Sequence, residues 1–233
     1  MKFSSPLIAG KLIKRYKRFL ADIQLDSGEI ITAHTPNSGS MKGLLKKGNR
    51  AWLSFHDLPS RKLKYTLEIL EVGKIKVGVN THLPNLLVEE AIQAGKIKEL
   101  KSYQEIQREV PYGRERSRID LLLKDPKKGL CYVEVKNVTL IEDGVAYFPD
   151  AVSVRGQKHL KELAFVASQG HRAVLLFVLQ RSDGKQLSPA DAIDPTYGKL
   201  LRQVAKEGVE ILAYRAKVET QAISLEKQVP VVC

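Results

Sequence analysis

Ala173-Val174-Leu175-Leu176-Phe177-Val178-Leu179 is an unbroken apolar run. Successive side chains of a strand point to opposite faces, so a strand built from this run must be covered on both sides. A bilayer span needs about 20 such residues, which this run does not reach. The chain therefore needs packed layers above and below one interior strand. The flanking sequence supplies them. Residues 153–169 read as a helix closed by Gly170, with Val152, Leu160, Leu163, Ala164 and Ala167 on its buried side. Pro195–Lys206 reads as a second amphipathic helix ended by Gly208, and Val209–Val218 as a further strand.

Upstream of that interior strand, Ser117–Asn137 carries the most chemistry. Ile119, Leu121 and Leu123 alternate with Arg118, Asp120 and Leu122, the two-residue period of a strand. Lys124-Asp125-Pro126-Lys127-Lys128-Gly129 is a turn-rich connection to a second strand, where Tyr132, Glu134 and Lys136 share one face. The hairpin brings Asp120, Glu134 and Lys136 together. Two converging carboxylates suit a hard divalent cation, Mg²⁺ or Mn²⁺, and the adjacent lysine suits a developing phosphate charge or an attacking water. The pattern resembles the active site of the PD-(D/E)xK nuclease superfamily. A solvated charged strand face is the competing explanation. Context favours the site, because a helix, three strands, a helix and a strand follow in the nuclease-like order.

The first third of the chain reads differently. Short alternating segments broken by turns run from Leu12 to Val79, with Asp26-Ser27-Gly28 as a hairpin signal. About five short strands in this stretch suggest an OB-like barrel, giving an α+β protein of two domains, residues 1–82 and 83–233. Charge separates the two parts. Residues 1–80 hold 15 Lys and Arg against 6 Asp and Glu, a surplus of 9 within the net +12 of the whole chain. Solubility needs no such concentration, so a polyanionic partner, nucleic acid, is the expectation, with no role for a membrane. Lys14, Arg15, Lys17 and Arg18 around Tyr16 suit a nucleic-acid face or a solvated edge strand. His34-Thr35-Pro36-Asn37-Ser38-Gly39-Ser40 is a small polar loop able to offer Asn37 and Ser38 to an anion.

Between the two parts, Pro84 opens a helix with Leu86, Leu87, Ala91 and Ile92 as its apolar stripe. Glu90 on that helix, and Glu109 at the end of the next strand, are further candidate ligands. Glu142-Asp143-Gly144 through Phe148-Pro149-Asp150 reads as a loop. The 153–169 helix then presents Arg155, Gln157 and Lys158 near its N-terminus, a favourable place for phosphate.

Several stretches together resemble the sugar fermentation stimulation protein A (SfsA) family. They are His34-Thr35-Pro36-Asn37-Ser38-Gly39, Tyr112-Gly113 with Ser117-Arg118-Ile119-Asp120, Val133-Glu134-Val135-Lys136-Asn137, Phe148-Pro149-Asp150-Ala151 and Arg155-Gly156-Gln157-Lys158-His159-Leu160. The resemblance implies an OB-like domain followed by a PD-(D/E)xK-like domain. It also implies DNA binding without marked sequence preference and a link to regulation of sugar, especially maltose, metabolism. Ile119 stands where the nuclease pattern nominally has proline. Hydrolysis of phosphodiester bonds is one expected function, and a DNA-binding regulatory protein with the nuclease-like half as scaffold is the alternative. The five histidines lack zinc-site spacing, and neither a phosphate loop nor a dinucleotide fingerprint occurs. Cys131 and Cys233 do not suit a disulfide, and no signal-peptide stretch stands at the N-terminus, so the reading is cytoplasmic.

Overall fold

The computed structural model describes residues 1–115 and 117–233. Six strands open the chain: β1 (Ile8–Tyr16), β2 (Leu20–Leu25), β3 (Ile30–His34), β4 (Arg50–Phe55), β5 (Tyr65–Val72) and β6 (Ile75–Gly78). β1 pairs antiparallel with both β2 and β4, β2 with β3, and β4 with β5. A parallel contact between His34 and Thr66 joins β3 to β5 and closes a five-stranded barrel of OB type. Leu12, Ile23, Ala33, Leu53 and Leu67 alternate inward to fill it. β1 has a neighbour on each side over Ile8–Lys11, whereas Lys14–Tyr16 pair with β2 alone and Lys17 and Arg18 lie in the turn that follows.

The second half contains α1 (Leu83–Gln93), β7 (Glu105–Tyr112), β8 (Ser117–Asp125), β9 (Gly129–Val138), β10 (Leu140–Glu142), β11 (Val145–Phe148) and α2 (Val154–Ser168). It ends with β12 (Arg172–Leu179), β13 (Gln186–Pro189), α3 (Pro195–Lys206), β14 (Glu210–Val218) and β15 (Ile223–Gln228). Six of these strands form one mixed sheet in the order β15-β14-β12-β9-β8-β7. β12 runs parallel to both β9 and β14, and seven of its eight residues are buried. Val174, Leu176 and Val178 pack toward α1, while Leu175, Phe177 and Leu179 pack toward α2 and α3. The two-sided apolar run is thus an interior strand between helical layers, as its sequence requires.

Two local expectations differ. The expected loop from Glu142 to Asp150 is irregular only at Pro149 and Asp150; residues 142–148 belong to the β10–β11 hairpin, turned by Asp143 and Gly144, both at positive φ. Asp-Gly is a preferred pair for that turn. Val152 lies before α2 and is 67% exposed, so it does not belong to the helix's buried stripe. No helix among the described residues is long and apolar enough to cross a membrane.

The halves are joined by direct contact as well as by chain. Gly78 donates its N–H to the Gln180 carbonyl at 2.8 Å, and Gln180 donates back to the Asn80 carbonyl at 3.2 Å. The N-terminal arm crosses over: the Met1 ammonium donates to the Ile223 carbonyl and Phe3 N–H to the Gln221 carbonyl. Residues 1–3 thus lie along the second sheet rather than the barrel.

A second joint involves the polar loop that follows β3. Asp150 accepts from the Ser40 hydroxyl at 3.2 Å and from the Met41 N–H at 3.0 Å. The anion this loop holds is a carboxylate of its own chain. Asp150→Ala leaves the Ser40 hydroxyl its shorter bond to the main-chain carbonyl of residue 150, at 2.9 Å, but takes from the Met41 N–H its charged acceptor. It is expected to lower stability by about 1–2 kcal/mol in urea unfolding.

Candidate metal and nucleic-acid site

β8 leaves its ladder with β9 after the pair Leu121 and Val133. Beyond that point strict alternation also fails, because Ile119 packs on the α2 side while Leu121 and Leu123 pack on the α1 side. The half-buried Asp120 carboxylate sits where the strands splay. One oxygen accepts the Val135 N–H at 2.7 Å, and the other accepts from the Asn85 side chain of α1 at 2.9 Å. These two bonds fix its orientation from the neighbouring strand and from the helix layer.

Glu134 lies deeper, 2% exposed, on the face of β9 that meets α2. Its Oε1 accepts from Lys136 Nζ at 2.6 Å and from Nδ1 of His159. Arg155 donates its Nε–H to His159 Nε2 at 3.3 Å. An accepting Nε2 carries no proton, so the neutral ring donates from Nδ1 to Glu134. The remaining carboxylate oxygen, Oε2, is buried and finds no hydrogen-bond partner among the described residues. An unpaired buried carboxylate oxygen costs free energy unless a cation or water meets it.

The electrostatics follow from this packing. Burial, and then the nearby charge of Glu134, push the Asp120 carboxyl up to about 6. Burial would raise Glu134 as well, but the Lys136 ammonium and the His159 contacts outweigh it and hold its carboxyl below the ordinary value. Buried Tyr112 and Tyr197 titrate above the usual phenol range through desolvation first and the charge of Glu134 second. The region concentrates negative charge that is only partly compensated.

The turn between β7 and β8 fixes the site against α2. Arg114 donates its N–H to Glu162 of α2 at 2.7 Å. Gly113, at φ +72°, lies so close that an added Cβ would fall 1.2 Å from that carboxylate oxygen. Only glycine fits there.

The other expected residues divide into three groups. Arg18 faces a cleft of about 370 Å³ between barrel and sheet, whose lining includes Asn37, Ser38, Asn85, Lys136 and Asn137. Lys14 and Lys17 belong to the barrel's basic surface, Lys14 being 65% exposed with its Nζ 3.6 Å from Asp22. Arg15, Asn37 and Gln157 are tied into the fold. Arg15 donates to the carbonyls of Arg18, Asn37 and Gly39. Asn37 is 5% exposed and donates to the Val79 carbonyl. Gln157 donates to Asp194, which caps α3. Lys158 donates to the Glu115 carbonyl beside the Ser117 strand.

Glu90 does not reach the site. It lies five residues from Asn85, across the helix, where it pairs with the Met1 ammonium at 2.5 Å. Glu109 is exposed, with φ 52°, and no group of three or more His, Cys, Asp or Glu side chains gathers for a metal among the described residues. Sequence reasoning missed Asn85 and His159. His159 was legible from its spacing: it stands four residues before Leu163, on the flank of α2 that carries the apolar stripe.

Family models match both halves. An "SfsA N-terminal OB domain" covers residues 13–79, and a "Sugar fermentation stimulation protein RE domain" covers residues 82–222. This chain belongs to the sugar fermentation stimulation protein family. A family homolog from Citrifermentans bemidjiense is 59% identical over 99% of each chain, and one from Shewanella baltica is 52% identical over 97% of each. The solved structure of Pyrococcus furiosus SfsA in complex with Ca²⁺ superimposes with a TM-score of 0.91 at 29% identity, covering 100% of this chain and 98% of that one. Family membership, the OB barrel and the α/β second domain are therefore shared along the whole length.

Proposed function

We propose that this family member binds DNA without sequence preference and hydrolyses phosphodiester bonds at Asp120, Glu134 and Lys136 with Mg²⁺ or Mn²⁺. The observation that carries this reading is the orphaned, buried Glu134 Oε2, whose neighbour Lys136 and whose companion Asp120's partner Asn85 both line the cleft between the basic barrel and the sheet. The hard oxygen donors fit a divalent cation, and the Ca²⁺ complex of the Pyrococcus relative supports metal use. A bound divalent cation supplies charge neutralisation at the phosphate and a lowered pKa for a nearby water.

The chain's own groups have separate roles in this proposal. Asp120 and Glu134 hold the cation. Asn85 and the Val135 N–H aim Asp120, and His159, backed by Arg155, aims Glu134. Lys136 keeps Glu134 ionised and presents positive charge toward the cleft, where a phosphate oxygen gains negative charge. Arg18 and the exposed basic residues of the barrel neutralise backbone phosphates. The two unpaired cysteines suit the cytoplasm.

A second reading is binding without cleavage. It is favoured by the limit of two carboxylates at the site among the described residues. Incubating labelled DNA with Mg²⁺ or Mn²⁺ separates the readings, since only the first yields nicked or shortened products. Failure to cleave any DNA form with either metal would leave the scaffold reading.

The metal assignment carries its own pH signature. Asp120 keeps its proton below about pH 6 and is ionised above it. Cation binding needs the ionised form, so divalent affinity is expected to fall about tenfold per pH unit below 6 and to level off above 7. Calorimetric titration with Mn²⁺ from pH 5 to 8 measures this, and a flat profile removes Asp120 from the ligand set. The stability linkage has the same origin. The folded-state pKa lies above the unfolded one, so the metal-free protein binds the extra proton when folded and loses that contribution as pH rises from about 4 through 6.

A further inference from the structure

The wall of the interdomain cleft contains one residue of the wrong sign for a polyanion. Arg18 enters it from the barrel and Lys136 from the sheet, yet Asp150 lines it as well, the one carboxylate among the described lining residues. A negative charge there opposes the ligand that the rest of the wall attracts.

The Asp150 side chain is held as a bound anion is held. Met41 donates its N–H to Oδ2 at 3.0 Å, and the Ser40 hydroxyl lies 3.2 Å from the same oxygen. The hydroxyl also reaches the main-chain carbonyl of residue 150, at 2.9 Å, which leaves the Met41 N–H as the donor committed to the carboxylate. Both carboxylate oxygens lie against Gly39, where an added Cβ would meet them at 2.7 and 2.8 Å. Arg15 donates to the carbonyls of Asn37 and Gly39. Burial lowers the pKa of its guanidinium, and the nearby charge of Asp150 offsets part of that effect. Arg18 donates to the Ser38 carbonyl at 2.9 Å, so two guanidinium groups back the loop. A main-chain donor, a hydroxyl, a bare glycine and two cations are what a phosphate group also requires. A carboxylate and a phosphodiester each present two equivalent oxygens that share one negative charge.

We propose that residues 39–41 form a phosphate-binding site which Asp150 fills as an internal mimic, and that a backbone phosphate of the bound nucleic acid takes the place of this carboxylate. The exchange rests on the nucleic-acid reading above and deepens it by naming the contact that admits the polyanion to the cleft. The released side chain has room to turn, since Asp150 already borders a cleft of about 370 Å³. The chain beyond it stays anchored, because the Ser153 N–H donates to Asp194 at 2.9 Å. Asp150 thereby acts as an autoinhibitory latch carried by the second domain. While it fills the loop, apparent affinity for nucleic acid is reduced by the fraction of molecules whose loop is free.

The test combines fluorescence anisotropy on a labelled DNA duplex, without divalent metal, with thermal melting in inorganic phosphate against chloride of equal ionic strength. The full chain is compared with Asp150→Asn, Asp150→Ala and Glu142→Gln. Asp150→Asn removes the charge but keeps an acceptor for the Met41 N–H, so it should fold as the parent does. Glu142 is an exposed carboxylate paired with Lys42 at 3.0 Å, and its replacement measures the general effect of one negative charge fewer. Both Asp150 variants should bind DNA about 3- to 10-fold more tightly than the parent, with Glu142→Gln within about twofold of it. Phosphate should raise the melting temperature of Asp150→Ala by about 2–4 °C more than that of the parent, because only the variant offers a free loop. A gain at Asp150 no larger than that at Glu142, or equal phosphate shifts in variant and parent, would overturn the exchange while leaving DNA binding intact. Absence of DNA binding by parent and variants alike would overturn the nucleic-acid reading together with it.

Discussion

Asp120→Ala is expected to slow divalent-dependent DNA cleavage by at least about 10³-fold while leaving metal-free DNA affinity within about twofold. Removing a group that stabilises transition-state charge in a water-poor site has effects of this size, near 4 kcal/mol of activation free energy. Asp120 supplies one of two carboxylates, so the variant also loses the rise in melting temperature that Mn²⁺ gives the parent. Two opposing effects keep its fold near parental stability. The Val135 N–H and the Asn85 amide lose their acceptor, and the repulsion between Asp120 and Glu134 disappears. Cleavage by the variant at the parental rate would show that the activity resides elsewhere.

Lys136→Met is expected to cost the fold about 3–5 kcal/mol, more than the loss of a surface lysine could explain. It leaves Glu134, 2% exposed, with an uncompensated buried charge and His159 as its remaining side-chain partner. Pairing it with Glu134→Gln removes the charge at its source, and the double variant should recover most of the loss in urea unfolding. Equal destabilisation of single and double variants would place the cost in lost packing instead. Activity lost in Lys136 variants therefore needs a measurement of folding beside it.

The legible parts of the molecule were those with a strong local pattern. The apolar run at Ala173–Leu179, the alternation around Tyr132 and Glu134, and Pro195 opening α3 each have a period or a stop signal that survives folding. Asp120, Glu134 and Lys136 came together because a hairpin imposes register. The missed elements depend on distant chain. β15 pairs with β14, the Asn85 amide meets Asp120 from 35 residues away, and the donors of the polar loop after β3 are consumed by Asp150, 109 residues from Met41. Asp143-Gly144 was an available hairpin signal outweighed by its charged surroundings. The charge surplus of the first third showed which half carries the basic surface, but not that Arg15 and Asn37 would be used internally.

The strand that carries Glu134 and Lys136 is not at a margin of its sheet: β9 lies between β8 and β12, and β12 is covered on both faces. Amides in such positions exchange with solvent mainly through cooperative opening of the whole domain. The molecule thus joins a basic barrel to a stiff sheet that carries Glu134 and Lys136 on an interior strand. Under the proposed function, contacts made through the barrel can vary from one nucleic acid to another while the interior strand keeps the two carboxylates in register.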